Sequence, residues 1–197
     1  MRNGPKAYQI DLQLARSRDG IAWQRHPERP VFLETGVPGS YDWGMVFAIQ
    51  GLVDRGDRTY LYYTGDAAFH LSKDVKEGKI GQLCLATLRR DGFVSLNAPD
   101  EGYMLTKPLR CPGGRLHVNA RMQPGGALRV AVRRADGDRD GDWVAGWGFD
   151  EGPVLRGDAV DAGLTWKGQE SFGPLAGKSV RLHFWLQKAE LYSFWFE

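Results

Sequence analysis

Short runs of alternating polar and apolar residues occur along most of the chain and indicate β-strands. Residues 8–15 (YQIDLQLA) alternate with a period of two, the pattern of a strand with one buried face. Residues 17–20 (SRDG) favour a turn, and residues 21–25 return as a second strand that carries Trp23. A proline-marked loop follows over residues 26–40. No segment combines a helical period with helix caps, so the chain is predicted to be all-β.

Residues 46–64 predict the β-hairpin on which the first half of the chain is centred. Residues 46–53 form an apolar run of strand length, and residues 58–64 are rich in Tyr and Thr. Between them, residues 54–57 (DRGD) favour a tight turn, because Gly56 tolerates a positive φ and Asp hydrogen-bonds to its own backbone. We expect the first strand to be the more buried of the two.

A hairpin-like pattern occurs twice in the first half of the chain. Residues 14–21 (LARSRDGI) are matched, after about 70 positions, by residues 85–93 (LATLRRDGF), which contain one additional residue. This spacing suits the four-stranded blades of a β-propeller with long loops, and each copy would be an outer hairpin. Chance recurrence of a common turn is the alternative. The repeat predicts that residues 1–97 form about one and a half propeller blades.

From residue 98 onward, short strand candidates are separated by Gly, Pro and Asp clusters. Seven such candidates in roughly 100 residues predict an antiparallel β-sandwich over residues 98–197. The last two are expected to form a hairpin across Lys188 and Ala189, and the sixth has one buried face formed by Val180, Leu182, Phe184 and Leu186. The candidates are residues 104–109, 115–119, 127–133, 143–149, 160–166, 180–187 and 190–196.

Composition and charge narrow the classes of partner. Aromatic residues make up 12% of the 197 positions, which suits a β fold and a carbohydrate ligand. The formal net charge is +2 and no long Lys/Arg block is present, so nucleic acid is not expected. No apolar run reaches the roughly 18–20 residues that span a bilayer, and the first residues lack the apolar core of a signal peptide, so no membrane partner is expected. Cys84 and Cys111 could pair, but free thiols are the default expectation.

Residues 41–44 (YDWG), at the start of the central hairpin, place a carboxylate between two aromatic rings. The rings of Tyr41 and Trp43 can pack on the apolar face of a sugar, and Asp42 can accept hydrogen bonds from its hydroxyls. An Asp before an apolar strand is also a common turn or cap residue, which is the alternative. The pattern indicates a sugar site around Asp42.

Glycoside hydrolysis normally requires two carboxyl groups, roughly 5–9.5 Å apart. Asp66, at the end of the same hairpin, is the candidate partner of Asp42 across the strands, and Glu34 lies on a flanking loop. His70 follows Phe69 in a polar loop and can contact a hydroxyl or carboxylate of a ligand, although an ordinary loop histidine is the alternative. Asp66, Glu34 and His70 are therefore the main polar candidates around Asp42.

Other patterns indicate no metal and no cofactor. Residues 135–143 (ADGDRDGDW) look like a calcium loop but lack the bidentate Glu at the required distance, so we expect an exposed hairpin loop. The four histidines show no zinc-binding spacing. Residues 17–23 (SRDGIAW) approximate the Asp-box of propeller sialidases, a structural turn that carries no chemistry.

Residues 41–48 (YDWGMVFA), followed by residues 57–63 (DRTYLYY), resemble the last blade of the invertase- and levanase-like five-bladed propellers of glycoside hydrolase family 32. The resemblance implies that Asp42 lines the sugar pocket rather than performing the chemistry, and that the strand ending in Tyr63 faces that pocket. The downstream half is similar to a β-sandwich that follows the propeller in bacterial proteins loosely related to families 32 and 43. The stretches that carry this likeness are residues 80–96, 106–109, 155–158, 175–182 and 191–194.

The chain departs from that family in its length. It has room for about one and a half of the five blades, and it offers no positions for the family's nucleophilic aspartate or its acid/base glutamate. The resemblance therefore implies the C-terminal part of a larger enzyme. An incomplete propeller leaves strand edges and apolar faces uncovered, so a homo-oligomer is expected.

Two functions are left open by the sequence. The first is a glycoside hydrolase-like protein that acts on or binds glycosides around Asp42; the second is a non-catalytic carbohydrate-binding or structural β-sandwich module left from a larger glycosidase. Localisation is not determined, although full-length relatives are expected to be secreted or periplasmic. The candidate catalytic residues are Asp42 and Asp66, and the candidate substrate-binding residues are Tyr41, Trp43, Tyr63, His70 and Glu34.

Overall fold

The computed structural model describes residues 8–70, 81–137 and 141–197. Strands dominate these residues, with a 3-10 turn over Gly173–Leu175 and no α-helix, so the all-β prediction is confirmed. The strands form several open antiparallel sheets. The chain divides into two compact units, Met1–Leu88 and Arg89–Glu197. The predicted domain boundary, between residues 97 and 98, lies within a strand over Leu96–Leu105.

The described part of the first unit contains two small sheets and one larger sheet. Two-stranded sheets join β1 to β4 and β2 to β3, and the larger sheet has the order β5-β6-β7. The bounds are β1 Leu12–Gln13, β2 Ala15–Arg16, β3 Gln24–Arg25, β4 Val31–Leu33, β5 Met45–Arg55, β6 Arg58–Asp66 and β7 Gln82–Arg89.

The central hairpin is confirmed, with β5 and β6 antiparallel and Gly56 at a positive φ of 61° in the turn. The expectation that the first strand is the more buried is wrong. After Val46, every residue of β5 is exposed, whereas Thr59, Leu61 and Tyr63 on β6 are buried. β6 is the more buried strand because it lies in the middle of the sheet, whereas β5 lies at its edge.

The two copies of the repeated pattern have different structures. The first forms the predicted hairpin between β2 and β3. The prediction for the second copy is wrong, because β7 joins the sheet of the first unit while the next strand, β8 (Leu96–Leu105), pairs in the second unit. The turn between them is anchored in the second unit, where Arg89 bonds to Asn119 and Asp158, and Asp91 accepts a hydrogen bond from Ser193.

The second unit is built on one five-stranded sheet. Its order is β11-β10-β12-β8, with β9 also beside β12. The remaining bounds are β9 Leu109–Arg110, β10 Leu116–Arg134, β11 Asp158–Leu164 and β12 Ser179–Phe196.

Two long strands replace four of the predicted short ones. Residues 116–119 of one candidate and residues 127–133 of the next both belong to β10, and the pairing with β12 is irregular between Met122 and Ala127. The predicted hairpin across Lys188 and Ala189 is wrong, because β12 runs through this point. Lys188 takes a positive φ of 44° there, which forms a bulge rather than a reversal. Residues 143–149 contribute one isolated bridge rather than a strand.

The core of the second unit lies on one face of this sheet. The predicted alternation on β12 is confirmed, since Val180, Leu182, Phe184 and Leu186 are all buried. Leu128, Val130 and Val132 on β10 lie opposite three of them and complete this face. Trp147, Trp166 and Phe172 pack over it, with ring centroids 4.4–5.3 Å apart.

Both cysteines, Cys84 in the first unit and Cys111 in the second, are buried free thiols. Across the described ranges, no helix has the length and apolar character needed to cross a membrane.

Candidate functional site

The predicted site residues lie on segments that converge at one end of the β5–β6 hairpin. The Gly44 amide donates to the Asp66 carbonyl at 2.8 Å, which joins the start of β5 to the end of β6. The Gly36 amide donates to the Asp42 carbonyl at 3.1 Å and brings the loop that carries Glu34 to the same place. The ring of Phe69, next to His70, lies 5.0 Å from the Trp43 ring. The structure therefore brings together the segments that carry all seven predicted residues.

The Asp42 side chain is buried, with 8% of the residue exposed, and its carboxylate is bonded within the chain. Its Oδ2 accepts a hydrogen bond from the Tyr63 hydroxyl at 2.9 Å, and its Oδ1 accepts one from the Ser40 hydroxyl at 2.8 Å. Both oxygens are thus already engaged, which makes the carboxylate a brace between the loop before β5 and the middle of β6.

Two glycines allow the chain to close around this carboxylate. A Cβ on Gly36 would lie 2.1 Å from Asp42 Oδ1, and a Cβ on Gly65 would lie 2.5 Å from Asp42 Cβ. Both distances are shorter than real Cβ contacts, so any larger residue would force the backbone or Asp42 to move. The space beside Asp42 is therefore filled by protein on two sides.

The phenol of Tyr63 is held in its protonated form. Burial raises the pKa of Tyr63 above its ordinary value, and the hydrogen bond to Asp42 and the charge of that carboxylate raise it further. A neutral phenol keeps its proton as a hydrogen-bond donor. The Tyr63 hydroxyl therefore remains the donor of the hydrogen bond to Asp42.

Asp66, the second candidate catalytic residue, is half-buried and organises the turn that follows β6. Its Oδ1 accepts a hydrogen bond from the Ala68 amide at 2.8 Å. Each of the two candidate catalytic carboxylates is therefore engaged by its own chain.

The exposed groups at this end of the hairpin are those suited to touch a ligand. Tyr41 is 49% exposed, and Glu34 and His70 are also exposed. Trp43 is half-buried, with its ring edge-to-face against Phe69 and its carbonyl accepting a hydrogen bond from the Gln9 amide group at 2.7 Å. An open aromatic ring thus lies next to a fixed carboxylate.

Sequence analysis did not identify Ser40, Gly36 and Gly65 as residues that surround Asp42. Ser40 lies two positions before Asp42, a spacing typical of local side-chain bonding in turns, and this is the one signal that was present. Gly36 and Gly65 are separated by 29 positions, so their common contact with Asp42 appears only after folding.

A second group that sequence analysis missed lines a cavity of about 460 Å³ in the second unit. It consists of Tyr103, Arg133, Trp143, Phe149 and His183. These residues come from β8, β10, β12 and the segment after β10, so no local pattern joins them. The one local signal is the pair of aromatic rings at positions 143 and 149, within a stretch rich in Gly and Asp.

In the described residues, the Asp-box-like turn and the calcium-loop-like stretch have structural roles. In the Asp-box-like turn, Asp19 accepts hydrogen bonds from the amides of Ile21 and Ala22, and these bonds lower its pKa. In the calcium-loop-like stretch, Asp136 is exposed and Asp142 contacts Arg134 at 3.4 Å, while Asp138 and Asp140 lie outside the described residues. Within those residues, no group of three or more His, Cys, Asp or Glu side chains is arranged to hold a metal ion.

Comparison with known proteins gives no relative for this chain: no protein-family model, no curated protein and no solved structure matches it.

Proposed function

We propose that this chain binds carbohydrate as the C-terminal part of a protein similar to glycoside hydrolases of families 32 and 43. The binding surface is the end of the β5–β6 hairpin around Tyr41, Asp42 and Trp43. The observation that carries the proposal is the brace of Ser40, Asp42 and Tyr63, which fixes this segment and leaves the Tyr41 ring 49% exposed beside it. An exposed aromatic ring on a braced segment suits a sugar, which has an apolar face and a rim of hydroxyls.

The hydrogen bonds made by Asp42 and Asp66 favour a binding function over hydrolysis. A glycosidase needs one carboxyl group to protonate the leaving oxygen and another to attack or to activate water. Asp42 bonds to Ser40 and Tyr63, and Asp66 bonds to the Ala68 amide. We therefore propose that Asp42 and Asp66 position the binding surface.

We also propose that the sheet β5-β6-β7 and the hairpin β2-β3 are an incomplete part of a propeller, and that the second unit is its accessory β-sandwich. Apolar side chains remain exposed on β5 and β7, with Leu83 at 73%, Leu52 at 50% and Val53 at 51%. We propose that a second copy of the chain covers the β7 edge of this sheet, which carries Leu83, because exposed apolar edge strands favour association.

Isothermal titration with soluble oligosaccharides tests the binding function. Cellohexaose, xylohexaose and a fructan oligosaccharide of five residues are titrated into a Tyr103→Ala chain, so that the cavity of the second unit does not contribute. We expect saturable binding of at least one probe, weakened several-fold by Tyr41→Ala, since one stacked ring contributes roughly 0.5–1.5 kcal/mol beyond the area it buries. Trp23→Ala, which removes a 64% exposed ring elsewhere in the same unit, is the matched control.

Absence of saturable binding at millimolar concentrations for all three probes would refute the proposal, and equal binding by the Tyr41→Ala chain would refute its location. Turnover of an aryl glycoside that is lost in Asp42→Asn would instead establish the catalytic alternative.

A further inference from the structure

The aromatic cavity of the second unit lies on the face of the sheet opposite the core. Leu182 and Phe184 on β12 point into the core, so His183 between them points to the other face. Arg133 on β10 pairs with Trp143 through an isolated bridge, which places both side chains on that same face. The cavity volume of about 460 Å³ falls within the range of small-molecule sites.

Three aromatic rings surround His183 in this cavity. The centroids of Tyr103, Trp143 and Phe149 lie 5.5, 5.5 and 5.3 Å from the centroid of the His183 ring. Trp143 and Phe149 also contact each other edge-to-face at 5.1 Å, which fixes their orientation. His183 is 7% exposed and Tyr103 is 62% exposed, so His183 forms the floor and Tyr103 an open wall.

Arg133 adds a cationic hydrogen-bonding group to this aromatic lining. It is 4% exposed, and its guanidinium carbon lies 5.6 Å from the centroid of the Trp143 ring. A guanidinium group carries five N–H donors in a fixed plane, and an imidazole carries one donor or acceptor at each ring nitrogen. The cavity therefore presents apolar ring faces together with oriented polar groups.

We propose that this cavity is a second carbohydrate-binding site, which takes one sugar ring of an oligosaccharide. The exposed face of Tyr103 packs against the apolar face of the sugar, and Arg133 and His183 face its hydroxyls. The site uses none of the residues around Asp42, and it does not depend on a ligand binding there.

The positive charge in the cavity lining favours a neutral sugar over a quaternary ammonium group, the other class of ligand that aromatic cages bind. Cages for quaternary ammonium groups use ring faces to attract a cation. In this cavity, the guanidinium carbon of Arg133 already lies 5.6 Å from the centroid of the Trp143 ring, and its positive charge repels a second cation. A neutral polyhydroxylated ring meets no such penalty.

Titration of a Tyr41→Ala chain tests the proposal, because that substitution removes the first-unit site from the measurement. The probes are cellohexaose, xylohexaose and the five-residue fructan, with choline chloride as the cationic probe. We expect saturable binding of at least one oligosaccharide, weakened tenfold or more by Tyr103→Ala and retained by Tyr103→Phe, which keeps the ring. Trp143→Ala should weaken binding similarly, and Trp23→Ala should leave it unchanged.

Tyr103→Ala alters a largely exposed side chain and should fold, so it decides the question even if Trp143→Ala is unstable. Equal oligosaccharide affinity in Tyr103→Ala and its Tyr41→Ala parent would overturn the proposal, as would no saturable binding of any oligosaccharide. Choline binding that depends on Tyr103 would assign the cavity to cations and also overturn it. Neither result bears on the site around Asp42, which is measured in the Tyr103→Ala chain.

Discussion

The two units of this chain are stabilised in different ways. The second unit has a large apolar core on one face of its sheet, in which Phe172, Phe184 and Leu182 are fully buried. The described part of the first unit has a core cluster of three buried side chains, Val46, Tyr63 and Cys84, and one of them is a tyrosine bonded to a buried carboxylate. The comparison shows that hydrophobic burial holds the second unit, whereas the first depends on a small core and a polar brace.

The largest effect on stability is expected from the core of the second unit. Phe184→Ala removes a fully buried ring and leaves a cavity, so it should reduce the free energy of unfolding by about 3–5 kcal/mol. Leu96→Ala in the same unit alters a side chain that is 54% exposed and should change it by no more than about 0.5 kcal/mol. Urea denaturation of both variants checks the prediction, and equal midpoints would contradict the assignment of the core.

A smaller and local effect is expected from the brace of the first unit. Asp42→Ala removes the acceptor of the Tyr63 and Ser40 hydroxyls and leaves the buried Tyr63 hydroxyl unpaired, which costs about 1–3 kcal/mol. Hydrogen exchange should show faster exchange of β5 and β6 amides, with β10 and β12 unchanged. Asp57→Ala, at an exposed turn position of the same hairpin, is the control. Unchanged exchange in β5 and β6 would show that the brace is not needed.

The two units also offer a comparison of two phenols, the buried Tyr63 and the half-buried Tyr192. The pKa of Tyr63 is raised by burial and by Asp42, and that of Tyr192 is raised by burial and by Glu190. The folded chain keeps each proton, whereas the unfolded chain releases it near pH 10. Each tyrosine therefore stabilises the fold fully below pH 10, and this contribution is lost as the pH rises toward the folded-state pKa.

Tyr63→Phe should reduce the loss of first-unit stability between pH 9 and 11, and Tyr192→Phe should do so for the second unit. Denaturation midpoints across this range, together with phenolate absorbance, provide the measurement. Identical pH profiles in the wild-type and Tyr63→Phe chains would mean that Tyr63 ionises normally in the folded state.

The smallest effect on stability is expected at the exposed apolar surface of the first unit. Leu83→Lys changes a residue that is 73% exposed, so the fold should be retained. If a second copy covers this surface, the charge should dissociate the oligomer, whereas Val94→Lys, at 71% exposure in the second unit, should not. Light scattering distinguishes these results, and a monomeric wild-type chain would contradict the proposed self-association.

Local patterns predicted the parts of the fold that depend on neighbouring residues. The central hairpin follows from an apolar run, a Gly-containing turn and a Tyr-rich run, and the core face of β12 follows from strict alternation. The proximity of the Asp42 and Asp66 segments follows from the hairpin itself, since Met45 lies opposite Asp66.

The errors arise where distant pairing overrides a local turn signal. Residues 123–126 (QPGG) have the composition of a turn, yet β10 continues through them because β12 pairs with it on both sides. Lys188 likewise takes a turn-like positive φ inside a continuous strand. The cavity around His183 could not be predicted for the same reason, since its five residues meet only when β8, β10 and β12 pair.

Hydrogen exchange of the full chain, with and without the oligosaccharide that binds most tightly, tests the central claim that this protein binds carbohydrate through fixed aromatic surfaces. Binding at the two sites should slow exchange over residues 40–46, an effect that Tyr41→Ala abolishes, and over residues 141–149, an effect that Tyr103→Ala abolishes. Saturating oligosaccharide that leaves exchange unchanged in both segments would contradict it.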